Sequence, residues 1–190
     1  MTSRWFILAA ALSATPTVLD AAEFRQSDRT PENKIEQLLK VDVPVVLCID
    51  DKPTAGGQPS GQAYAKAAAS GYRSILTLRT KKDGVDNLRE RSMVERQKMR
   101  FFNIPVVPNT PRPAQADEFL ALVRDKANHP MLVNCAFAER VAPLMMIFRI
   151  VEQGWSKEKA LEEATRMGLS KEPLKKFAES YIAQRKSKPR

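Results

Sequence analysis

Pro130 to Cys135 (PMLVNC) is an apolar run that stops at a cysteine, and the segment from Arg140 to Gln153 has almost no polar face. A short run of this kind reads as a strand buried on both sides, and a helical segment without a polar face reads as a buried helix. A buried strand that feeds directly into a buried helix is half of a crossover between parallel strands. The rest of the chain repeats the theme. Val43 to Ile49 (VPVVLCI), Arg73 to Leu78 (RSILTL) and Arg100 to Val107 (RFFNIPVV) read as further strands. Between them, Ser60 to Ser70 reads as a helix with Ser60 as N-cap and Gly71 as its stop, and a charged helix runs from about Val85 to Lys98. Asp50 to Gly57 is rich in turn residues, and the prolines of Val107 to Pro113 make that stretch a loop. Amphipathic helices follow at Ala114 to Ala127, with Phe119, Leu122 and Val123 on one face, and at Ser156 to Met167, capped by Ser156. A last helix runs from Lys171 to about Ala183. This alternation predicts an α/β fold: a mostly parallel four- to five-stranded sheet with helices on both faces.

The chain of 190 residues suits one such domain, expected over 43–183, with an appendage at each end. Arg4, the apolar stretch Trp5 to Ala14 and the small residues up to Ala22 have the form of an export signal over 1–22. That stretch is too short for a comfortable permanent membrane span, and a periplasmic location is the expectation. A polar linker over 23–42, with a short helical turn at Ile35 to Lys40, and a basic tail over 184–190 complete the organisation. The net charge of +9 favours anionic partners. Nucleic acid is not expected, because no basic stripe is interleaved with aromatic residues.

In an open parallel sheet, ligands bind at the carboxyl ends of the central strands. Cys135 stands at such an end, where the amides and dipole of the following helix favour anions and a thiolate. Arg140 lies just beyond, and its planar fork matches two oxygens of a phosphate or sulfate. Cys135, Ala136, Phe137, Ala138, Glu139 and Arg140 then form one device: nucleophile, amide cradle and clamp. Taken singly, a strand-end cysteine is a small core residue and a helix arginine a surface charge.

Several short motifs occur in order around this device. They are Gly57-Gln58-Pro59-Ser60, Ser70-Gly71-Tyr72-Arg73-Ser74-Ile75-Leu76 leading to Leu78-Arg79, Phe102-Asn103-Ile104-Pro105-Val106, the Cys135 to Arg140 loop, and Glu152-Gln153-Gly154-Trp155 with Ala160 and Glu163. Over Val45 to Leu169 the chain resembles the bacterial dual-specificity-like tyrosine phosphatases, the group related to phosphatase-like domains fused to β-lactamase-type hydrolases and NAD kinases. The resemblance implies a cysteine-phosphatase fold in which Cys135 is the nucleophile and Arg140 the phosphate-binding arginine. It implies hydrolysis of phosphomonoesters through a phosphocysteine, without metal or cofactor, on a phosphorylated protein or a small phosphoester.

The chain also departs from that family. Asn134 replaces the common histidine before the nucleophile, Ala138 the usual glycine, and Val141 a frequent Ser or Thr. Glu139 sets a carboxylate beside an anion site, where it repels the ligand if it points inward and is harmless if it points outward. The loop Val107-Pro108-Asn109-Thr110-Pro111 lacks the aspartate that relatives use as general acid. Asp83, Asp86 and Asp117 are the substitutes, and loss of the acid costs about 10²–10⁴-fold. Weak activity is therefore expected. A catalytically impaired pseudophosphatase that binds a phosphorylated ligand or partner is the alternative, and a rhodanese-like sulfurtransferase a further one. Cys48 is read as core, or as a resolving partner for Cys135; His129 as a surface or capping residue, since one histidine and two distant cysteines make no zinc site.

Overall fold

A computed structural model of the chain describes residues 43, 47–48 and 53–186. The expected signal segment, the linker with its Ile35–Lys40 turn, and the tail after Lys186 lie outside the described residues. Five strands form one sheet: β1 Leu47–Cys48, β2 Pro53–Gly56, β3 Ser74–Thr77, β4 Arg100–Asn103 and β5 Met131–Asn134, in the order β1-β2-β5-β3-β4. Strands β2, β5, β3 and β4 are parallel and β1 pairs antiparallel to β2. The helices are α1 Gly61–Ala69, α2 Asn87–Arg96, α3 Pro113–Arg124, α4 Val141–Val151, α5 Lys157–Arg166 and α6 Glu172–Lys186. Among the described residues no helix is long and apolar enough to cross a membrane.

Strand β2 corrects the sequence reading, which took Asp50 to Gly57 for a turn. Its proline sits at the first strand position, where a missing N–H is tolerated. Its small residues suit a strand covered on both faces: Thr54 and Ala55 are buried, and α4 packs against it. The Thr54 hydroxyl is hydrogen-bonded to the Tyr72 hydroxyl at 2.5 Å, which satisfies the polar group that burial would otherwise strand. Helix α6 also runs to Lys186, past the expected end near Ala183.

Side chains alternate across the sheet as the pleat demands. Ile75, Phe101 and Leu132 join Tyr64, Ala67 and Val94 of α1 and α2 in one core. Leu76, Met131 and Val133 join α3, α4, α5 and α6 in the other. Helices thus cover both faces, as expected. Helix α4 lies deepest, with every residue from Val141 to Ile150 buried, which is why its sequence has almost no polar face. The exception is Arg149, fully buried, whose fork meets Glu163 of α5 at 2.9 and 3.2 Å, with the Trp155 ring 4.4 Å from its guanidinium carbon.

Register brings the strand ends to one level. Asn134, the last residue of β5, lies opposite Gly56 on one side and Thr77 on the other, and Thr77 lies opposite Asn103. The chain leaves the sheet at Cys135 between the ends of β2 and β3, whose following helices α1 and α2 lie on one face while α4 lies on the other. That is where an open parallel sheet presents its crevice.

Candidate active site

Cys135 follows β5 directly. Its amide donates to the Gly56 carbonyl at 3.3 Å, and its free thiol is buried, with the residue 1% exposed. The chain then turns through a loop pinned on its outer side, where the Gln58 amide donates to the Ala136 carbonyl at 3.2 Å and Gly57 bridges Phe137. Ala138 has φ +64° and its carbonyl accepts from the amides of Val141 and Ala142, which starts α4. Alanine therefore takes the left-handed conformation for which glycine is the easy choice. Apart from the Gly57–Phe137 bridge, no described residue accepts a hydrogen bond from the amides of Ala136 through Arg140. A run of unengaged amides at a helix start is an anion cradle.

Arg140 is 5% exposed, and its guanidinium is held from several sides. It meets both carboxylate oxygens of Asp83 at 2.8 and 2.9 Å, and donates to the carbonyls of Leu78 at 3.4 Å and Val106 at 3.3 Å. Burial works against its charge, yet the bonds to Asp83 and the Cys135 thiol beside it hold the guanidinium above the ordinary arginine range. The hydrogen bond from Arg140, aided by the amide and hydroxyl of Thr80 at 2.7 and 2.9 Å, holds the Asp83 carboxyl far below the usual carboxylate range. Such a carboxyl carries no proton to donate at neutral pH.

The other two acid candidates are engaged too. Asp86 caps α2, accepting from the amides of Leu88 and Arg89 at 3.1 and 3.0 Å. Asp117 lies on α3 and is bound by the Tyr181 hydroxyl and by Arg185 of α6; the Tyr181 bond and then Arg185 lower its pKa. Asp83, one of three candidate acids in the sequence, is in the structure the partner of Arg140.

The departures resolve individually. Glu139 points outward, to Lys171 at 2.7 Å and Ser170 at 3.0 Å, so the harmless alternative holds. Asn134 donates to Gln58 at 3.5 Å. Val141 is fully buried, and Phe137 stands 72% exposed on the loop. His129 takes the capping role, with Nε2 2.7 Å from the Val123 carbonyl near the end of α3. Cys48 lies in β1 opposite Thr54, and Cys135 is a free thiol.

A second polar cluster adjoins the loop and was not anticipated. Glu90 of α2 is buried; its Oε1 accepts from the Tyr64 hydroxyl and from Gln58 Nε2, the latter at 3.2 Å. Burial, with the charge and hydrogen bond of Glu90, raises the Tyr64 phenol well above its usual range, so it remains a donor. The available signal was local: Glu90 shares a helix face with the core residue Val94, one turn on.

The model of a family described as DSP-PTPase phosphatase fused to NAD+ kinase matches residues 50–184. No curated protein matches the chain. Among solved structures, the DUF442 protein from Shewanella putrefaciens CN-32 superposes with a TM-score of 0.64 at 16% identity, covering 75% of this chain and 93% of that one. The core catalytic domain of the PP-IP phosphatase SIW14 from S. cerevisiae gives 0.64 at 17%, covering 73% and 86%. TpbA from P. aeruginosa gives 0.58 at 18%, covering 75% and 89%. At such identities these likenesses concern the fold, which is that of the cysteine phosphatases.

Proposed function

Because the chain belongs to the family of dual-specificity-type phosphatases fused to NAD+ kinase, we propose that it hydrolyses phosphomonoesters through a phosphocysteine at Cys135, and does so slowly. The observation that carries the reading is the loop from Ala136 to Arg140, whose amides are unengaged apart from the Gly57–Phe137 bridge and which follows the buried Cys135 thiol directly. The thiolate attacks phosphorus, a sulfur–phosphorus bond forms, and the bond to the leaving oxygen breaks. Loop amides and the Arg140 cation hold the equatorial oxygens as charge develops on them. Water then attacks the phosphocysteine and releases phosphate and thiol. Slowness follows from the leaving oxygen, which takes its proton from water: Asp83, Asp86 and Asp117 are all committed elsewhere, and 107–111 contains no carboxylate. The substrate is a phosphorylated protein or a small phosphoester. TpbA has been solved with phosphotyrosine bound, and an exposed aromatic, Phe137, is at hand here to stack on such a ring. On the form of its first 22 residues the protein works in the periplasm.

One observation favours a second reading, a protein that binds a phosphorylated ligand or partner without turnover. The fork of Arg140 is filled by Asp83, so a ligand must share or displace that carboxylate. Hydrolysis of an aryl phosphate under reducing conditions, by wild type and Cys135→Ser in parallel, separates the two. Turnover that vanishes in the variant supports the phosphocysteine. Absence of turnover in a folded protein with a free thiol, alongside measurable phosphate binding, leaves the binding reading in possession.

A further inference from the structure

Beside the anion loop lies a depression of about 220 Å³ walled by Gln58, Tyr64, Arg79, Arg89 and Glu90. It touches the loop from two directions. Gln58 is tied by its backbone to Ala136 and by its side chain to Asn134, the residue before Cys135. Arg79 donates to the Asp83 carbonyl at 3.3 Å, and Asp83 holds Arg140. The depression thus shares residues with the network that holds the loop.

The chemistry of the walls is specific. Glu90 is 6% exposed; its Oε1 is committed to Tyr64 and Gln58, while its Oε2 is buried with no hydrogen-bond partner. A carboxylate oxygen left so is costly, and such groups call for an explanation. The missing partner is a donor. The Arg89 side chain, exposed at the rim, makes no hydrogen bond or ion pair with any described residue, and it supplies donors in search of an acceptor. A simple amine would satisfy Glu90 but face two guanidiniums. A bare oxyanion would satisfy the arginines but face the carboxylate. A hydroxyl group donates and accepts at once, and adjacent hydroxyls suit both walls together.

We infer that this depression recognises the hydroxyl groups of a polyhydroxylated phosphoester, a sugar or polyol phosphate whose phosphate sits in the Cys135–Arg140 loop. The inference rests on the reading of that loop as a phosphate site and names the class of substrate it takes. Glu90 Oε2 accepts from one hydroxyl while Arg89 and Arg79 donate to its neighbours. A site that hydrogen-bonds a substrate hydroxyl rejects an analogue lacking it, because its own polar groups are then left unpaired.

The test is calorimetric titration of the full chain carrying Cys135→Ser with inorganic phosphate, phenyl phosphate and glucose 6-phosphate. Glucose 6-phosphate is expected to bind about 10-fold or more tighter than phenyl phosphate, the discrimination that paired hydroxyls provide. Glu90→Gln and Arg89→Ala are each expected to collapse that ratio towards one. Arg89 is exposed, so Arg89→Ala carries the test if Glu90→Gln fails to fold. Equal affinities for the two esters, or a preference that survives Arg89→Ala, overturns the inference and leaves the phosphate site standing. No binding of any of the three ligands overturns the phosphate reading itself, and this inference falls with it.

Discussion

Arg140 does two things that the sequence displays as one. Its spacing from Cys135 is local, so the pair is legible as a candidate cradle without any structure. Its partner Asp83 is 57 residues away on another crossover, and nothing local marks the two as neighbours. The pair makes a pH signature. The Asp83 carboxyl ionises near pH 4 in an unfolded chain and far lower when folded. Its stabilisation is therefore complete above about pH 4 and is lost as the pH falls towards the lowered native value. Asp83→Asn removes a charged hydrogen-bond pair and is expected to cost roughly 1.5–3 kcal/mol at neutral pH. In denaturant titrations the gap between wild type and variant should be flat from pH 7 to 5 and shrink below 4. A gap that widens on acidification would contradict the pairing. Ala138 permits a second comparison. Glycine there relieves the left-handed strain of about 1–2 kcal/mol but gives up a buried methyl and gains freedom when unfolded, so Ala138→Gly should stay within about 1 kcal/mol of wild type. A β-branched side chain suits neither the positive φ nor the full burial, and Ala138→Val should cost about 2 kcal/mol or more in the same titration. Equal tolerance of both would show that the loop does not hold this conformation.

Elements with local signals were readable. Ser60 and Ser156 cap their helices by accepting from Ala63 and Lys159, and the apolar face of α4 announced its burial. Strand β2 was not readable, because its turn-forming letters describe only local preference; the parallel pairing with β5 that overrides it is a tertiary fact. The same limit hid the lock between α4 and α5. An arginine inside an apolar helix looks like a surface residue or an anomaly until Glu163 is found facing it, with Gln153 accepting at 2.5 Å and Trp155 stacked beside it. Removing one partner of a buried ion pair strands the other. Glu163→Ala is therefore expected to cost about 3–5 kcal/mol, a large share of the stability of a domain this size. Replacing Arg149 with Met and Glu163 with Leu together should cost much less than the single change, because no charge is left buried. Thermal unfolding of the single and double variants checks this, and a double variant as unstable as the single one would mean that packing, not charge, is what the pair supplies.

At the scale of the molecule, the register of four parallel strand ends decides what the site can do. It collects Gly56, Thr77, Asn103 and Asn134 at one level, at the strand ends from which the loop departs. The three aspartates considered as general acids serve other elements: Asp83 binds Arg140, Asp86 caps α2, and Asp117 fastens α3 to α6. A phosphatase built this way has only water to protonate its leaving oxygen, so its rate must depend on how well that oxygen bears negative charge. Aryl phosphates with acidic phenols should react readily, and alkyl phosphates should lag by about 10²–10⁴-fold beyond the gap seen when an acid assists. The pH dependence should carry the same mark. With an acid, kcat/KM falls again at high pH as that acid deprotonates. Without one, that falling alkaline limb should be missing. A series of aryl phosphates of graded phenol acidity, measured across pH, tests both expectations on the wild-type protein. A shallow dependence on the leaving group together with a falling alkaline limb would show that a proton donor operates after all. Asp83→Asn, Asp86→Asn and Asp117→Asn would then identify it, since the responsible variant alone should steepen the series and level the profile.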